Sequence, residues 1–259
     1  GRAAQGVGLG LTALMMGVAR DHLPEERGAA VIALISVVSI IGAGVGYPLT
    51  AAGDVKAVGS SINVTGPLTT SGSVALDAGG GNVTFGNTLT VSSGTLTVTD
   101  GNAVDLANTT VSGTLQAANG FTLPAGATLG GTGFVSGNLA VNGSLGGTLS
   151  VGGNVTVNGG GSVSPGPFVA TLSVIGNLTF QSGGTFAADI LGAGFNDRIA
   201  VSGAVDIGTG NVLVPNFGGY IPSPNDSYVL ITNDGSDNLA GTLNGVRNRA
   251  GEQLNGTFF

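Results

Sequence analysis

The chain has no cysteine, no tryptophan and only one histidine, and charged residues make up only 8% of it. The absence of cysteine excludes disulfide bonds, thiol catalysis and metal sites with cysteine ligands. Lysine and arginine number 7 against 14 aspartate and glutamate residues, which gives a net charge of −7. Nucleic-acid binding needs a basic patch or stripe. We therefore expect no nucleic-acid partner.

Glycine is an unusually abundant residue in this chain. The chain has 50 glycines among 259 residues, well above the roughly 7% of average usage. The glycines do not recur at every third residue, which excludes collagen. The hydrophobic content of 42% is too high for a disordered chain. The composition therefore indicates many short strands, separated by tight turns and stacked as a repeat.

The first 53 residues differ from the rest of the chain. Residues 3–19 and 28–53 carry no charge, and each stretch approaches or exceeds the roughly 20 residues that span a bilayer core. Between them, RDHLPEER (residues 20–27) holds the densest charge cluster in the chain. We predict a membrane helical hairpin over residues 1–53, with a buried hairpin of a soluble domain as the alternative.

Two short motifs in this region resemble the fourth and fifth transmembrane helices of major facilitator superfamily drug-efflux transporters. The matching residues are Arg2, Gln5, Gly6, Gly42, Gly46 and Pro48. In the fifth-helix motif, Tyr47 stands where glycine is usual. The resemblance implies a cytoplasmic loop between the two helices and a part for Arg2 in proton coupling. Two helices cannot enclose a substrate path, so we expect no transport activity.

After Asp54 the chain is built from short units of alternating apolar and polar residues, such as GNLAVNG, GTLSVGG and GNVTVNG. Alternation of this kind marks half-buried strands, and glycine or asparagine at the unit ends suits tight corners. Strands this short bury little on their own, so we predict that they stack on their neighbours. Rungs of very roughly 20 residues would build a rod about 40–50 Å long.

Medium-sized aliphatic residues two positions apart are predicted to fill the interior of this stack. The pairs are Leu139 and Val141, Leu149 and Val151, Val155 and Val157, and Leu172 and Val174. Large aromatic residues are not expected to fit there repeatedly. Asn138, Asn154 and Asn177 occupy the same place in the unit. We predict that they either form a side-chain ladder at a corner or face solvent as turn residues.

Residues 129–203 resemble the passenger-associated repeat of bacterial autotransporters, and the likeness extends over about 121–259. The matching residues are Gly130, Gly131, Gly133, Ser164, Pro165, Gly166, Asn177, Asp197, Arg198 and Gly203. One departure, GPFVATL (residues 166–172), leaves Phe168 in need of a groove or solvent. The resemblance implies a right-handed parallel β-solenoid (β-helix), exported through the outer membrane. It also implies a stalk, an adhesin scaffold or a folding driver, with a ligand on a host surface or in a matrix.

The chain thus divides into a membrane hairpin (residues 1–53), irregular β-strand repeats (54–120) and an autotransporter-like solenoid (121–259). A transporter hairpin that feeds an exported repeat makes little topological sense, so we predict a chimeric fragment joined between Thr50 and Lys56. The hairpin is expected in a membrane, and the β region at the cell surface, at the outer membrane or secreted. Since Gly1 opens the chain and no signal peptide is evident, we expect a piece of a longer protein.

Few residues of the β region are suited to chemistry. His22 lies between the predicted helices, so the β region has no histidine for a triad or a metal site. Asp197 and Arg198, the one adjacent acid–base pair there, are predicted to form a surface pair, or Asp197 to cap a turn. A calcium site built from Asp189, Asp197 and Asp206 is a weaker alternative. We predict no catalytic residue, no metal and no cofactor.

The function predicted from these observations is that of a non-catalytic structural or adhesin-type surface solenoid. One alternative is a membrane transporter fragment with an incidental β tail. A second is a β-helix carbohydrate-active enzyme, which would need acidic ligands beside lysine or arginine on one face. The β region offers only Lys56, Arg198, Arg247 and Arg249 for that purpose.

Overall fold

A computed structural model describes residues 49–51, 55–59, 61–99, 101–223, 226–234, 237, 239–240 and 243–246. These residues are mainly β and form three parallel sheets whose strands stack in register, which is a β-solenoid. Each turn of the chain, termed a rung, passes through sheet 1, sheet 2 and sheet 3, and then returns to sheet 1. The predicted stacking of short strands along a common axis is confirmed.

The strands are two to eight residues long. Sheet 1 contains Leu49–Ala51, Leu68–Thr70, Leu89–Val91, Thr109–Val111, Thr128–Gly131, Ser144–Gly146, Ser162–Ser164, Thr185–Gly192, Asn211–Asn216 and Leu243–Val246, with Phe195–Asn196 paired to its side. Sheet 2 contains Val55–Val58, Val74–Asp77, Thr95–Thr99, Thr114–Ala117, Phe134–Ser136, Ser150–Val151, Thr171–Val174, Arg198–Val201 and Ile231–Asn233. Sheet 3 contains Ile62–Val64, Val83–Phe85, Val104–Asp105, Phe121–Leu123, Leu139–Val141, Val155–Val157, Leu178–Phe180, Val205–Asp206 and Leu239–Ala240.

Aliphatic side chains stacked from rung to rung form the interior. Leu145, for example, aligns with Leu129 on one side and with Val163 on the other, and all three are buried. Parallel strands lie about 4.8 Å apart, so the register places side chains of similar size directly over one another. The eight aliphatic residues predicted to face inward are all buried, with at most 1% of their surface exposed. That prediction is confirmed.

Four phenylalanines also lie in the interior, which the expectation of an aliphatic core did not include. They are Phe85, Phe121, Phe180 and Phe186. Their rungs accommodate them because each aligns with a smaller aliphatic residue rather than with another aromatic ring. Phe180 aligns with Val157, and Phe186 aligns with Val163 and Leu213.

The first described strand corrects the prediction of a helix that continues to Gly53. Leu49–Ala51 is a strand that pairs in parallel with Leu68–Thr70. Its alignment of Leu49 with Leu68 and of Thr50 with Thr69 shows that the repeat pattern starts before the predicted junction. The rest of the predicted hairpin lies outside the described residues. Within the described ranges, no helix is long and apolar enough to cross a membrane.

Candidate functional site

Three successive loops project from the corner between sheet 1 and sheet 2, and together they are termed the looped corner. They are residues 165–170, the hairpin that joins Thr185–Gly192 to Phe195–Asn196, and residues 217–230. In the earlier described rungs, only two or three residues connect sheet 1 to sheet 2 at this corner. The looped corner is therefore where the repeat departs most from its own pattern.

A buried carboxylate connects the first loop to the hairpin. The backbone N–H of Ala170 donates to Oδ1 of Asp197, and the N–H of Asp189 donates to Oδ2, each at 2.9 Å. Asp197 has 0% of its surface exposed. It is therefore not the surface pair that the sequence suggested, although it does accept backbone hydrogen bonds as a capping residue would.

Burial raises the pKa of Asp197 from 3.8 to about 6. The two backbone hydrogen bonds, from Asp189 and then from Ala170, favour the carboxylate and oppose that shift. The nearby charge of Asp189 adds to the rise. Removal from water is the dominant effect, because a charged group loses its hydration when it is buried.

The residues on either side of Asp197 hold the third loop. The side-chain amide of Asn196 donates to the carbonyl oxygen of Val229 at 2.9 Å, and Nε of Arg198 donates to the same oxygen at 3.3 Å. Asn196 is itself buried. Through residues 196–198, three segments that lie far apart in sequence become one connected unit.

The third loop carries its own cluster of hydrogen bonds. The hydroxyl of Tyr220 donates to Oδ2 of Asp226, which also accepts the N–H of Ser223 at 2.7 Å and the hydroxyl of Tyr228 at 3.3 Å. The two tyrosine rings meet edge to face, with their centroids 6.4 Å apart. The hydrogen bond from Tyr220 is the main reason that the pKa of Asp226 is lowered, and the same bond raises the pKa of Tyr220.

Large apolar side chains face solvent on this corner. The exposed fractions are 74% for Phe168, 59% for Phe195, 85% for Ile221 and 51% for Val229. Phe168 has φ = +119°, the one positive value among the described residues other than glycine. Its exposure agrees with the prediction that this departure from the repeat would leave the ring in a groove or in solvent.

A second feature, the asparagine corner, lies between sheets 2 and 3. Oδ1 of Asn138 accepts the backbone N–H of Asn154, and Oδ1 of Asn154 accepts the N–H of Asn177, each at 2.9 Å. Oδ1 of Asn177 continues this row by accepting the N–H of Ala204 at 2.9 Å. All three asparagines are exposed. The three asparagines thus face solvent and also form a row of hydrogen bonds along the corner. The row runs from each side chain to the backbone of the next rung, not from amide to amide as in the predicted side-chain ladder.

A shallow groove of about 300 Å³ runs beside the asparagine corner. Amides and hydroxyls line it, among them those of Asn102, Asn119, Asn138, Thr122 and Thr156. Oδ1 of Asn138 accepts the backbone N–H of Asn154 in the next rung, and the side-chain amide of Asn119 donates to the carbonyl oxygen of Gly101 at 2.6 Å. The groove therefore presents uncharged polar groups that are partly used within the solenoid.

The motif residues of the autotransporter resemblance fall on two corners. At the corner between sheets 1 and 2, or in the strand ends that border it, are Gly130, Gly131, Gly133, Ser164, Pro165, Gly166, Asp197 and Arg198. Asn177 and Gly203 lie together between sheets 2 and 3, where a Cβ atom at Gly203 would come within 2.4 Å of Oδ1 of Asn177. The transporter-motif residues, Arg2 to Pro48, lie outside the described residues.

The three aspartates of the calcium alternative do not come together. Asp189 and Asp197 are neighbours, but Asp206 lies in sheet 3. In the part of the chain that the structure describes, no group of three or more histidine, cysteine, aspartate or glutamate residues is placed to hold a metal.

This chain matches no protein-family model, and no curated protein matches its sequence. The structure establishes the fold, which is a β-solenoid with three parallel sheets. Sequence reasoning missed the cluster of Tyr220, Asp226 and Tyr228. A signal for it was available, since two of the three tyrosines of the chain lie within nine residues of each other.

Proposed function

We propose that this chain acts as a non-catalytic rod at a bacterial cell surface, in the manner of an autotransporter passenger. In this role it is a right-handed solenoid that serves as a stalk or adhesin scaffold. The supporting observation is the uninterrupted stack of three sheets from Leu49 to Val246. Nine steps of about 4.8 Å along sheet 1 give a rod about 43 Å long.

Two further observations favour a scaffold. The interior is mainly aliphatic and phenylalanine side chains, so burial of apolar surface holds the described rungs together. The described charged side chains of the looped corner are engaged in hydrogen bonds with neighbouring groups. The part of the predicted hairpin that precedes Leu49 would add a membrane attachment, either natural or from a chimeric junction.

Surface display tests this proposal. The full chain is fused to a secretion signal and to an outer-membrane translocator barrel, and intact cells are labelled with an antibody against the chain. We expect labelling of intact cells and its loss after protease treatment, while a periplasmic marker stays protected. Labelling that appears only after lysis would contradict the surface role.

A further inference from the structure

The outward aromatic residues of this solenoid are concentrated on one corner. Of the described aromatic residues, four phenylalanines are buried in the interior. Phe134 faces outward from sheet 2. The others, Phe168, Phe195, Phe217, Tyr220 and Tyr228, lie on the looped corner. Four of the six large hydrophobic side chains that the described surface exposes lie on this corner, and the other two, Val58 and Ile175, lie apart from it. Local clusters of exposed apolar side chains mark binding sites.

The register orders this patch along the axis of the rod. Thr171 aligns with Arg198, so the preceding residues Ala170 and Asp197 occupy equivalent places in successive rungs. Phe168 and Phe195 each come two residues before those places. The third loop adds Ile221 and Val229 one rung further on. The segments that carry these exposed side chains therefore belong to three successive rungs.

The patch is held in place by buried contacts. Asp197 fixes the first loop to the hairpin, and Asn196 and Arg198 fix the hairpin to Val229. A positive φ at a phenylalanine is an uncommon backbone state that persists only where the surroundings enforce it. Its occurrence at Phe168, the most exposed ring of the corner, indicates that the backbone of the first loop is constrained.

The charges of the corner favour an uncharged ligand. Asp197 is buried, and the carboxylate of Asp226 already accepts hydrogen bonds from both tyrosines. Nε of Arg198 donates to Val229, and the carboxylate of Asp189 accepts the side-chain amide of Asn216 at 2.6 Å. What remains for a ligand is the exposed rings of Phe168 and Phe195 and the exposed side chains of Ile221 and Val229.

We propose that the looped corner binds a neutral, linear polysaccharide along the axis of the rod, with Phe168 and Phe195 stacking on sugar rings. A pyranose ring has a flat C–H face, which complements the face of an exposed aromatic ring. This inference rests on the proposed surface role and names the ligand class that such a rod would hold. The strands beside the corner are already paired within their sheets, which disfavours an added peptide strand.

Retention on insoluble polysaccharides tests the inference. The full chain is mixed with cellulose, chitin and a β-1,3-glucan, and with polygalacturonate gel as the charged comparison. We expect retention on at least one neutral polymer. We expect Phe168→Ala with Phe195→Ala to weaken retention about tenfold or more, since anchoring aromatic residues dominate binding energy. Phe134→Ala, the matched outward aromatic on sheet 2, should leave retention unchanged.

Several results would overturn the inference. They are no retention on any neutral polymer, retention only on polygalacturonate, retention that the double variant leaves unchanged, and self-association that the double variant abolishes in place of sugar binding. Circular dichroism of each variant establishes that the strands are intact. A chain that is displayed at the surface but ignores the neutral polymers overturns this inference alone. A chain that binds a polymer but is never displayed overturns the surface role alone.

Discussion

The regular rungs, residues 61–164, and the looped rungs, residues 165–234, share one interior but differ at one corner. In the regular rungs the repeat length runs from 16 residues, between Ala140 and Thr156, to 22 residues, between Val74 and Leu96. In the looped rungs it grows to 23, then to 27 and then to 32 residues, the last between Ile199 and Ile231. The inward residues still align there, as Phe186 does with Leu213.

This difference shows how a solenoid can gain a binding surface without losing its fold. The register of each rung is set by buried side chains of sheets 1 to 3, so a corner can take extra residues. The entropic cost of closing a longer loop rises only slowly with its length. The looped rungs add buried polar groups, Asn196 and Asp197, where the regular rungs use short glycine-containing corners.

The largest effect is expected from cutting a side chain out of the shared interior. Leu145→Ala removes a fully buried side chain between Leu129 and Val163. We expect a loss of about 2–5 kcal/mol in the free energy of unfolding, because the cavity would close only partly. Urea unfolding followed by circular dichroism measures the change.

The matched control on the looped corner is Ile221→Ala, since Ile221 is 85% exposed. That change should stay within about 0.5 kcal/mol of the parent. Equal losses in the free energy of unfolding for Leu145→Ala and Ile221→Ala would contradict a buried interior at Leu145 and an exposed corner at Ile221.

The next effect concerns the tight corners of the regular rungs. Gly131 has φ = +123°, and a Cβ atom there would lie 2.1 Å from the backbone oxygen of Val111. Because that oxygen belongs to the neighbouring rung, we expect Gly131→Ala to cost roughly 1–3 kcal/mol from backbone strain alone, with the clash adding to it. Gly130→Ala is the control, since a Cβ atom at Gly130 meets nothing within 4 Å. If Gly131→Ala and Gly130→Ala unfolded at similar urea concentrations, the close approach of Gly131 to the backbone oxygen of Val111 would be contradicted.

A smaller effect on stability, and one that depends on pH, is expected from Asp197, whose carboxylate connects the first loop to the hairpin. Asp197→Asn leaves one of the two N–H groups facing an amide nitrogen, and we expect a loss of about 1–3 kcal/mol in the free energy of unfolding. The pKa of Asp197 is about 6 in the folded state against an ordinary 3.8. The folded state therefore binds this proton more tightly than the unfolded state does. The resulting contribution of Asp197 to the free energy of unfolding is fully present below pH 3.8 and is lost as the pH rises through about 6.

Unfolding experiments at pH 4, 5, 6 and 7 measure this dependence as the difference between the parent and Asp197→Asn. The difference should be largest at pH 4 and should shrink towards pH 7. The exposed Asp206, changed to asparagine, is the control. A difference that stays constant over this range would contradict the assignment of a raised pKa to Asp197.

The interior was predictable because its signal is local. Pairs such as Leu139 and Val141 alternate with polar residues inside one strand, and a period of two already assigns them to one face. The start of the repeat was placed too late, since Leu49–Ala51 is a strand. Its letters LTA also suit the end of an apolar helix, and only the alignment with Leu68 distinguishes the two.

The looped corner was not predictable in the same way, because its contacts join distant parts of the chain. Asp197 accepts backbone N–H groups that lie 8 and 27 residues before it, and the side-chain amide of Asn196 donates to a carbonyl oxygen 33 residues later. Nothing in the letters NDR indicates such partners. The letters mark Phe168 only as a departure from the repeat, and only the register shows that Phe195 precedes the aligned strand of the next rung by the same number of residues.

The spacing of two labels on sheet 3 tests the stacked register most directly. The chain has no cysteine, so Thr84→Cys and Thr179→Cys introduce the only two sites for spin labels. The register runs from Thr84 through Asp105, Thr122, Ala140 and Thr156 to Thr179, which is five rungs. Pulsed electron paramagnetic resonance should give a narrow distance distribution centred near about 24 Å. A broad distribution, or one centred far beyond that value, would contradict the solenoid.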